Sequence, residues 1–295
     1  MKLSVEARAD LALAFVALLW GGTFVIVKTA LDDISPLVYI SMRFALAAVL
    51  LLGYFRRTPT FRMPLRHFAT CALVGGLLMT GYILQTIGLK TITPAKSAFL
   101  TGLYIPLVPV FGAMIWRKLP LWQELAGLAL AVSGTAMLSW PHKSAGIAIG
   151  DWLTIACAVA YAFHILALGH FTPRIGLARM TCWQIMFGAL FAGAGSPLIE
   201  KPFWNVTPPT ILAIVLGGVF ATAIAFGLQT WGQQHTSPTR AALIFSLEPV
   251  FAWVVSFLVT GEVLTMRAGI GAALVLAGIL FAELKPQLAT RHPST

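Results

Sequence analysis

Residues 226–253 read FGLQTWGQQHTSPTRAALIFSLEPVFAW and indicate a short polar turn between two apolar helices. Glu248 lies well inside the second apolar segment and is followed directly by Pro249. If that segment crosses a membrane, a charged carboxylate at this depth costs ~2.5–3.5 kcal/mol on insertion scales, so it requires a partner, a proton or a water-filled cavity. Glu248 is therefore a candidate functional residue.

The rest of the composition supports a membrane protein. Of 295 residues, 58% are hydrophobic and only 10% are charged, whereas soluble domains carry ~25% charged residues. The apolar segments are continuous and show none of the alternation of a barrel strand, and each is roughly 18–23 residues long, enough to cross a bilayer as a helix. They lie near residues 11–31, 36–55, 68–89, 95–116, 122–140, 150–170, 177–197, 210–232, 239–259 and 267–284. The pattern predicts an all-α integral membrane protein with ten transmembrane helices.

Several other classes of protein are excluded by the sequence. The net charge of +10 comes from basic residues in short connectors and not from one continuous face, which argues against nucleic acid as a partner. The three cysteines, Cys71, Cys157 and Cys182, lie in apolar segments without CxxC or His spacing, so neither disulfides nor a zinc site is expected. No Walker loop, GxGxxG after a strand, GxSxG or HExxH is present, so ATP-driven pumping by this chain is not supported, and we expect neither a cofactor nor a metal. Paired acidic residues or histidine clusters at one interface are also missing, so we favour a protein that is not an enzyme.

An internal repeat organises the chain. YILQTIGLKTITPAKSAFL (82–100) returns as FGLQTWGQQHTSPTRAALI (226–244) at a constant offset of 144 residues, and the first helices correspond at an offset of 141. The corresponding pairs include Gln85 and Gln229, Gly88 and Gly232, Pro94 and Pro238, Lys96 and Arg240, Asp10 and Asp151, and Trp20 and Tyr161. The predicted units are residues 1–141 and 142–295, each with five helices. Because five is odd, the two units enter the membrane from opposite sides, which is the inverted-repeat plan of secondary transporters.

The connectors predict the orientation of the chain. Thirteen Lys and Arg residues fall on the side of the N-terminus and five on the other, so we expect both termini in the cytoplasm and the protein in the cytoplasmic (inner) membrane. The first group is Lys2, Arg8, Arg56, Arg57, Arg62, Arg66, Arg117, Lys118, Arg174, Arg179, Arg240, Lys285 and Arg291, and the second is Lys90, Lys96, Lys143, Lys201 and Arg267.

Three stretches resemble one known family. LLWGGTFVIVKTAL (18–31), SPLVYISMRFALAAVLLL (35–52) and SLEPVFAWVVSFLVTGEVLT (246–265) are similar to the EamA-type drug/metabolite transporters, with one such unit in each half of the chain. The resemblance implies a ten-helix bundle with a central cavity that moves small organic metabolites. The first half departs from the pattern, because Tyr104-Ile105-Pro106 stands where the second half has Glu248-Pro249-Val250.

A set of side chains is expected near the middle of the membrane. The predicted cavity or substrate-binding residues are Trp20, Tyr82, Tyr104, Tyr161, His164 and Glu248. Aromatic rings beside a carboxylate and an imidazole can hold an amphipathic or aromatic solute by stacking and cation–π contacts, but each ring can also be plain packing between helices. His164 is either a titratable group in the cavity or a satisfied core histidine.

The sequence allows three interpretations of Glu248. It can couple transport to protons, because burial favours the protonated form of a carboxyl group. It can bind a cationic group of the substrate, or it can be structural and hydrogen-bond to a neighbouring helix while protonated. Since the Glu-Pro pair belongs to the wider family pattern, the resemblance implies general machinery and not choice of substrate.

Two basic residues and two hairpins complete the candidates. Arg43 is a possible anchor for carboxylated substrates, but it can also snorkel to the interface or pair with Asp32 or Asp33. Lys28 is an interfacial residue or a second charge anchor. Gln85 with Pro94 and Gln229 with Pro238 belong to inverted hairpins, which we expect to close opposite gates, unless they are only turns left from duplication.

The sequence therefore predicts a secondary transporter of small organic metabolites such as amino acids, related amines or carboxylates, or drugs. We expect efflux by alternating access around a midplane cavity. An uncoupled facilitator or channel is the first alternative, and an intramembrane lipid-modifying enzyme is the second. The expected partners are a small-molecule substrate and membrane lipid, with the chain as a monomer or a homodimer.

Overall fold

The computed structural model describes residues 3–117, 119–139, 148–260 and 265–283, and this part of the chain is helical throughout, without a strand. The one β-type contact there is an isolated bridge between Ile34 and Trp204. The helices are α1 (Val5–Gly21), α2 (Thr23–Ala30), α3 (Pro36–Tyr54), α4 (Leu65–Leu89), α5 (Pro94–Thr101), α6 (Tyr104–Trp116), α7 (Trp122–Ser139), α8 (Ile149–Ile175), α9 (Leu177–Ile199), α10 (Pro208–Gly218), a π-helical segment (Val219–Ile224), α11 (Ala225–Gly232), α12 (Pro238–Phe245), α13 (Leu247–Thr260) and α14 (Met266–Glu283).

Eight helical stretches in the described residues are long and apolar enough to cross a membrane, and Met266–Ala282 is a shorter apolar helix. The eight are Val5–Ala30, Pro36–Tyr54, Leu65–Leu89, Lys96–Trp116, Ile149–Ile175, Leu177–Ile199, Pro208–Gly232 and Pro238–Val255. Large apolar side chains such as Val49, Leu73, Leu190 and Leu276 point outward. Such a surface is costly in water and suits contact with lipid, so the prediction of a helical membrane protein is confirmed.

Polar caps start several helices at the ends of the bundle. Thr93 accepts a hydrogen bond from the Lys96 amide, and Ser237 accepts one from the Arg240 amide. Proline follows each cap as the first helical residue, where its missing N–H costs nothing. The hairpins predicted from the repeat therefore end in the same way in both halves.

Three of the spanning stretches are interrupted. α1 passes into α2 at Gly22, α5 passes into α6 through Gly102 and Leu103, and α12 passes into α13 at Ser246. The last two breaks are repeat-related, since Gly102 and Ser246 differ by 144 positions. The sequence predicted each of these stretches as one unbroken helix. Glu248 lies well inside the span Pro238–Val255, as predicted, and it occupies the first turn of α13 directly after the break.

Close backbone contacts set the helix arrangement. A Cβ atom at Gly21 would lie 2.5 Å from the Glu248 carbonyl oxygen, so only glycine allows α1 to cross α13 at this distance. α7 packs most extensively against α14, where Gly127 and Gly278 each face the other's carbonyl oxygen. Small residues at helix crossings of this kind are typical of membrane proteins.

Two large core clusters flank the centre of the bundle. One gathers around α3, α4 and α9, and the other around α1, α6, α8 and α11–α13. Trp20 and Tyr161 pack against both clusters. These two residues, which the repeat pairs with each other, therefore lie on the seam where the central cavity opens.

Candidate functional site

A central cavity brings together the side chains predicted for the midplane. Trp20, Tyr82, Tyr104, Tyr161, His164 and Glu248 all line it, together with Arg43, Gln85, Gln229, Phe226, Phe245 and Thr101. Its volume is about 70 Å³, which holds roughly five water-sized spheres. The site in this conformation therefore fits a small solute or a small polar head group.

The two broken helices aim repeat-related residues at the cavity. Tyr104 opens α6 and Glu248 lies in the first turn of α13, each directly after its break. A helix N-terminus carries partial positive charge and unpaired N–H groups, which favour a carboxylate in the first turn. The same arrangement of half-helices builds the midplane sites of transporters.

Glu248 is the acidic group of the cavity. Its side chain is half-buried and faces the open space, and no described residue donates a hydrogen bond to its carboxylate. A carboxylate inside an apolar bundle is stable only with a partner or a proton. The unfilled hydrogen-bonding capacity of Glu248 is therefore directed at the cavity and whatever enters it.

Arg43 is the basic group of the same cavity, and its side chain is only 3% exposed. Its Nε and Nη2 donate to Thr222 Oγ1 at 3.0 and 2.9 Å, and Nη2 also donates to the Ala221 carbonyl oxygen at 3.4 Å. Its Cζ lies 5.3 Å from the Tyr82 ring centroid, within cation–π range. No carboxylate in the described chain neutralises this guanidinium.

The predicted pairing of Arg43 with Asp32 or Asp33 is wrong, and so is its snorkelling to the interface. Asp33 Oδ2 instead accepts hydrogen bonds from the hydroxyls of Thr207 and Thr210. The π-helical segment supplies what Arg43 needs, because its wider turn presents Thr222 and Ala221 inward. π-Helical turns occur frequently at functional sites.

Aromatic rings form a large part of the cavity wall. Tyr82 makes edge contacts with Phe44 at 5.0 Å and with Tyr161 at 5.8 Å between centroids. Trp20 lies 5.4 Å from Phe226, and its indole N–H donates to the Ala221 carbonyl oxygen at 3.1 Å. These rings are positioned by one another and present faces and edges to the cavity.

Gln85 and Gln229, predicted as gating residues, lie in the cavity wall. Gln85 Nε2 donates to Thr101 Oγ1 at 2.9 Å, and its Oε1 accepts from the Tyr161 hydroxyl at 3.4 Å. Gln229 differs, since it is 1% exposed and its Oε1 has no hydrogen-bond partner. An unpaired buried amide is costly, so Gln229 is available to a ligand.

His164 lines the cavity and begins a chain of polar side chains that leads through Gln184 to Thr230. Its Nε2 lies 3.0 Å from Gln184 Oε1, and Gln184 Nε2 donates to Thr230 Oγ1 at 3.0 Å. Gln184 is the residue that the repeat pairs with Arg43. The two halves thus use the same helix position for different polar contacts, which makes the cavity asymmetric.

Three candidates lie outside the cavity lining. Lys28 Nζ donates to the carbonyl oxygens of Leu89 and Lys90 at 2.5 and 3.2 Å, so its ammonium caps the C-terminus of α4. Pro94 and Pro238 begin α5 and α12 at the two hairpins.

No group of three His, Cys, Asp or Glu side chains that could hold a metal ion comes together within the described ranges.

Sequence reasoning missed Thr222, Phe226, Phe245 and Thr101. The first of these lies 179 positions from Arg43, and no motif connects the two residues. Phe226 and Phe245 are ordinary apolar residues in apolar segments, so no feature of the sequence indicated that they line the cavity. Thr101 immediately precedes Gly102, and the helix break there is the one signal that could have indicated it.

Comparison with known proteins agrees with this architecture. The chain matches the model of the EamA-like transporter family twice, over residues 7–140 and 148–284. An uncharacterised transporter of Archaeoglobus fulgidus is 31% identical over 94% of this chain and 86% of its own length. A protein of Streptantibioticus cattleyicolor named "Probable terminal-alkyne amino-acid exporter" is 26% identical over 100% of this chain and 99% of its own length.

A solved crystal structure has the same fold. It superposes with a TM-score of 0.79 at 20% sequence identity, covering 94% of this chain and 96% of its own. The predicted resemblance is therefore confirmed, and with it the prediction of a transporter in place of an enzyme. The chain belongs to the EamA-like transporter family and is a membrane transporter.

Proposed function

We propose that this protein is a secondary transporter that moves small amino-acid-like metabolites across the cytoplasmic membrane. One observation carries the proposal: Glu248 and Arg43 line the same aromatic cavity, and neither has a partner of opposite charge in the described chain. A solute with an ammonium and a carboxylate group satisfies both. The Streptantibioticus relative, named as an amino-acid exporter, supports this substrate class and efflux as the direction.

The proposed architecture is ten transmembrane helices in two inverted repeats of five, residues 1–141 and 142–295. The double match to the family model supports it, as do the related helix breaks at Gly102 and Ser246. α7 and α14 serve as the fifth helix of each unit. The boundary between the units falls within residues 140–147, outside the described residues. Both termini are then cytoplasmic, as the positive charges of the connectors indicate.

The proposed mechanism is alternating access with competition at Glu248. A proton and the ammonium group of the substrate cannot occupy the carboxylate together, so release of one accompanies binding of the other. Arg43 receives the carboxylate of the substrate, since its guanidinium lines the cavity and no described carboxylate neutralises it. Trp20, Tyr82, Tyr104 and Tyr161 enclose the side chain.

The test is export from proteoliposomes that contain the purified protein. Liposomes are loaded with a mixture of the twenty amino acids at a higher concentration than the same mixture outside, a pH gradient is imposed, and the retained amino acids are measured by mass spectrometry. We expect at least one amino acid to be depleted against its gradient by the wild type but not by Glu248→Gln. The matched control is Glu6→Gln, since Glu6 is an exposed carboxylate at the start of α1.

Equal depletion by the wild type and Glu248→Gln would contradict coupling at Glu248. Depletion that stops when inside and outside concentrations are equal would identify an uncoupled facilitator. If no amino acid is depleted under any gradient, the proposed substrate class is wrong.

A further inference from the structure

Two ion pairs join the halves of the chain. Lys96 Nζ lies 2.7 Å from Asp151 Oδ2, with side chains 17% and 8% exposed. Arg240 holds Asp10 through two contacts, Nη2 to Oδ2 at 2.5 Å and Nε to Oδ1 at 3.1 Å, with side chains 26% and 20% exposed. The cavity site uses none of these four residues.

The repeat relates the two pairs to each other. Lys96 corresponds to Arg240 at the offset of 144, and Asp10 corresponds to Asp151 at the offset of 141. In each pair, the basic residue comes from one half and the acidic residue from the other. The two contacts are therefore one inter-repeat interaction formed twice.

Lys96 and Arg240 occupy the same position in two equivalent short helices. Lys96 and Arg240 come three residues after the caps Thr93 and Ser237, on the first turn of α5 and α12. Each short helix leads to a break and then to the half-helix that carries Tyr104 or Glu248. A movement that separates either ion pair therefore moves the element next to the substrate site.

The two pairs lie at opposite ends of the bundle. In the proposed architecture the chain crosses the membrane five times between the hairpin before α5 and the hairpin before α12. An odd number of crossings places the two hairpins on opposite faces of the membrane. The central cavity lies between the pairs. Both contacts are formed at once in this structure.

The backbone packing beside the two pairs differs. Next to Lys96–Asp151, a Cβ atom at Gly150 would lie 2.5 Å from the Gly88 carbonyl oxygen, so two glycines bring the backbones together. At the other end Gly232, the counterpart of Gly88, faces the side chain of Leu13, which a Cβ would approach to 2.9 Å. The first end combines a single-contact lysine pair with tight packing, and the second combines a bidentate arginine pair with a flexible side chain. Bidentate ion pairs are the stronger kind. The Lys96–Asp151 end of the bundle therefore has the weaker ion pair and the tighter backbone packing, and the Arg240–Asp10 end has the reverse.

We propose that Lys96–Asp151 and Arg240–Asp10 are paired latches on the two gates of the transport path, and that each must separate for the cavity to open on its own face. The proposal rests on the proposed alternating access. Lys96, Arg240 and Asp10 are partly exposed, so water can replace their partners when a pair separates. Asp151 is buried, but its Oδ2 keeps the Ala148 amide as a hydrogen-bond donor.

The test measures opening directly and needs no transported substrate. Thr23 lines the cavity, so Thr23→Cys serves as a reporter in a background where Cys71, Cys157 and Cys182 are replaced by alanine. A membrane-impermeant methanethiosulfonate is applied to right-side-out and to inverted vesicles, and the labelling rate is measured from each face. Asp151→Asn and Asp10→Asn each neutralise one latch with little change of shape.

We expect Asp151→Asn to raise the labelling rate from one face by a factor of about five or more, and Asp10→Asn to do the same from the opposite face, since a change of one or two kcal/mol shifts such an equilibrium 5–30-fold. The exchanged pair Lys96→Asp with Asp151→Lys restores the charge contact and should return the rate to that of the parent. A pure loss of stability would not be reversed in this way.

Acceleration from the same face by both single variants, or from neither face, would overturn the proposal, as would an exchanged pair that labels like Asp151→Asn. These outcomes are independent of the amino-acid export assay. Latches without amino-acid export would contradict only the proposed substrate, and export without face-specific labelling would contradict only the latches.

Discussion

Replacement of Thr222 by valine tests the way in which the bundle holds a buried guanidinium. Thr222 Oγ1 accepts two hydrogen bonds from Arg43, at 3.0 and 2.9 Å, and donates one to the Gly217 carbonyl oxygen at 2.8 Å. Valine has nearly the same shape but no oxygen, so it leaves Arg43 with two unmatched N–H groups in a side chain that is 3% exposed.

The expected cost follows from these contacts. A hydrogen bond to a charged group contributes about 1.5–3 kcal/mol, and the two bonds share one oxygen and do not add fully, so Thr222→Val should lower the free energy of unfolding by about 2–4 kcal/mol. That corresponds to a fall in apparent Tm of about 5–10 °C in detergent. Thr222→Ser is the matched control, because it keeps the oxygen and loses only a methyl group.

The transport assay separates positioning from stability. If Arg43 receives the substrate carboxylate, Thr222→Val should raise the KM for a transported amino acid by about tenfold, equivalent to 1.4 kcal/mol. The KM for the corresponding amine, which lacks the carboxylate, should change far less. Equal Tm values for the valine and serine variants, or an equal rise in KM for acid and amine, would refute the reasoning.

Three further predictions concern packing, the indole and the unpaired amide. Gly278→Ala should lower the apparent Tm, because its Cβ would come within 2.9 Å of the Ala131 amide nitrogen and overpacking costs about 1–3 kcal/mol. The control is Gly269→Ala, which should be neutral because no atom lies within 4 Å of its Cβ. Equal effects of the two substitutions on the Tm would contradict the packing argument. Trp20→Phe removes the donor to Ala221 and should cost about 1 kcal/mol in thermal unfolding, so a variant as stable as the wild type would show that this bond contributes nothing. Gln229→Leu should leave the Tm unchanged or higher, since its Oε1 is buried and unpaired, while the KM of transport rises; a lowered Tm with unchanged KM would assign Gln229 to structure instead.

Several features followed from the sequence because they depend on local pattern. Long apolar runs with few charges predict membrane helices wherever the helices finally pack. The depth of a residue in such a helix is set by its distance along the run, so Trp20, Tyr104, Tyr161, His164 and Glu248 could be selected for one level, and they line one cavity. Their roles in transport stay predictions.

The sequence did not predict how each helix is rotated about its axis. This rotation decides which neighbouring residues a side chain contacts. Arg43 had carboxylates nearby in the chain, yet the rotation of α3 directs it to Thr222, 179 positions away. The repeat aligned Lys96 with Arg240 and Asp10 with Asp151, but it gave no sign that each cation pairs with the acid of the other half.

The sequence by itself thus determined a helical membrane protein built from a repeated unit, with an acid in its apolar interior. Only the tertiary structure decided that Glu248 meets no partner among the described residues, that Arg43 shares its cavity, and that two ion pairs join the halves. The physical reason is that burial depends on composition along one helix, whereas charge compensation depends on contacts between helices that are distant in the chain.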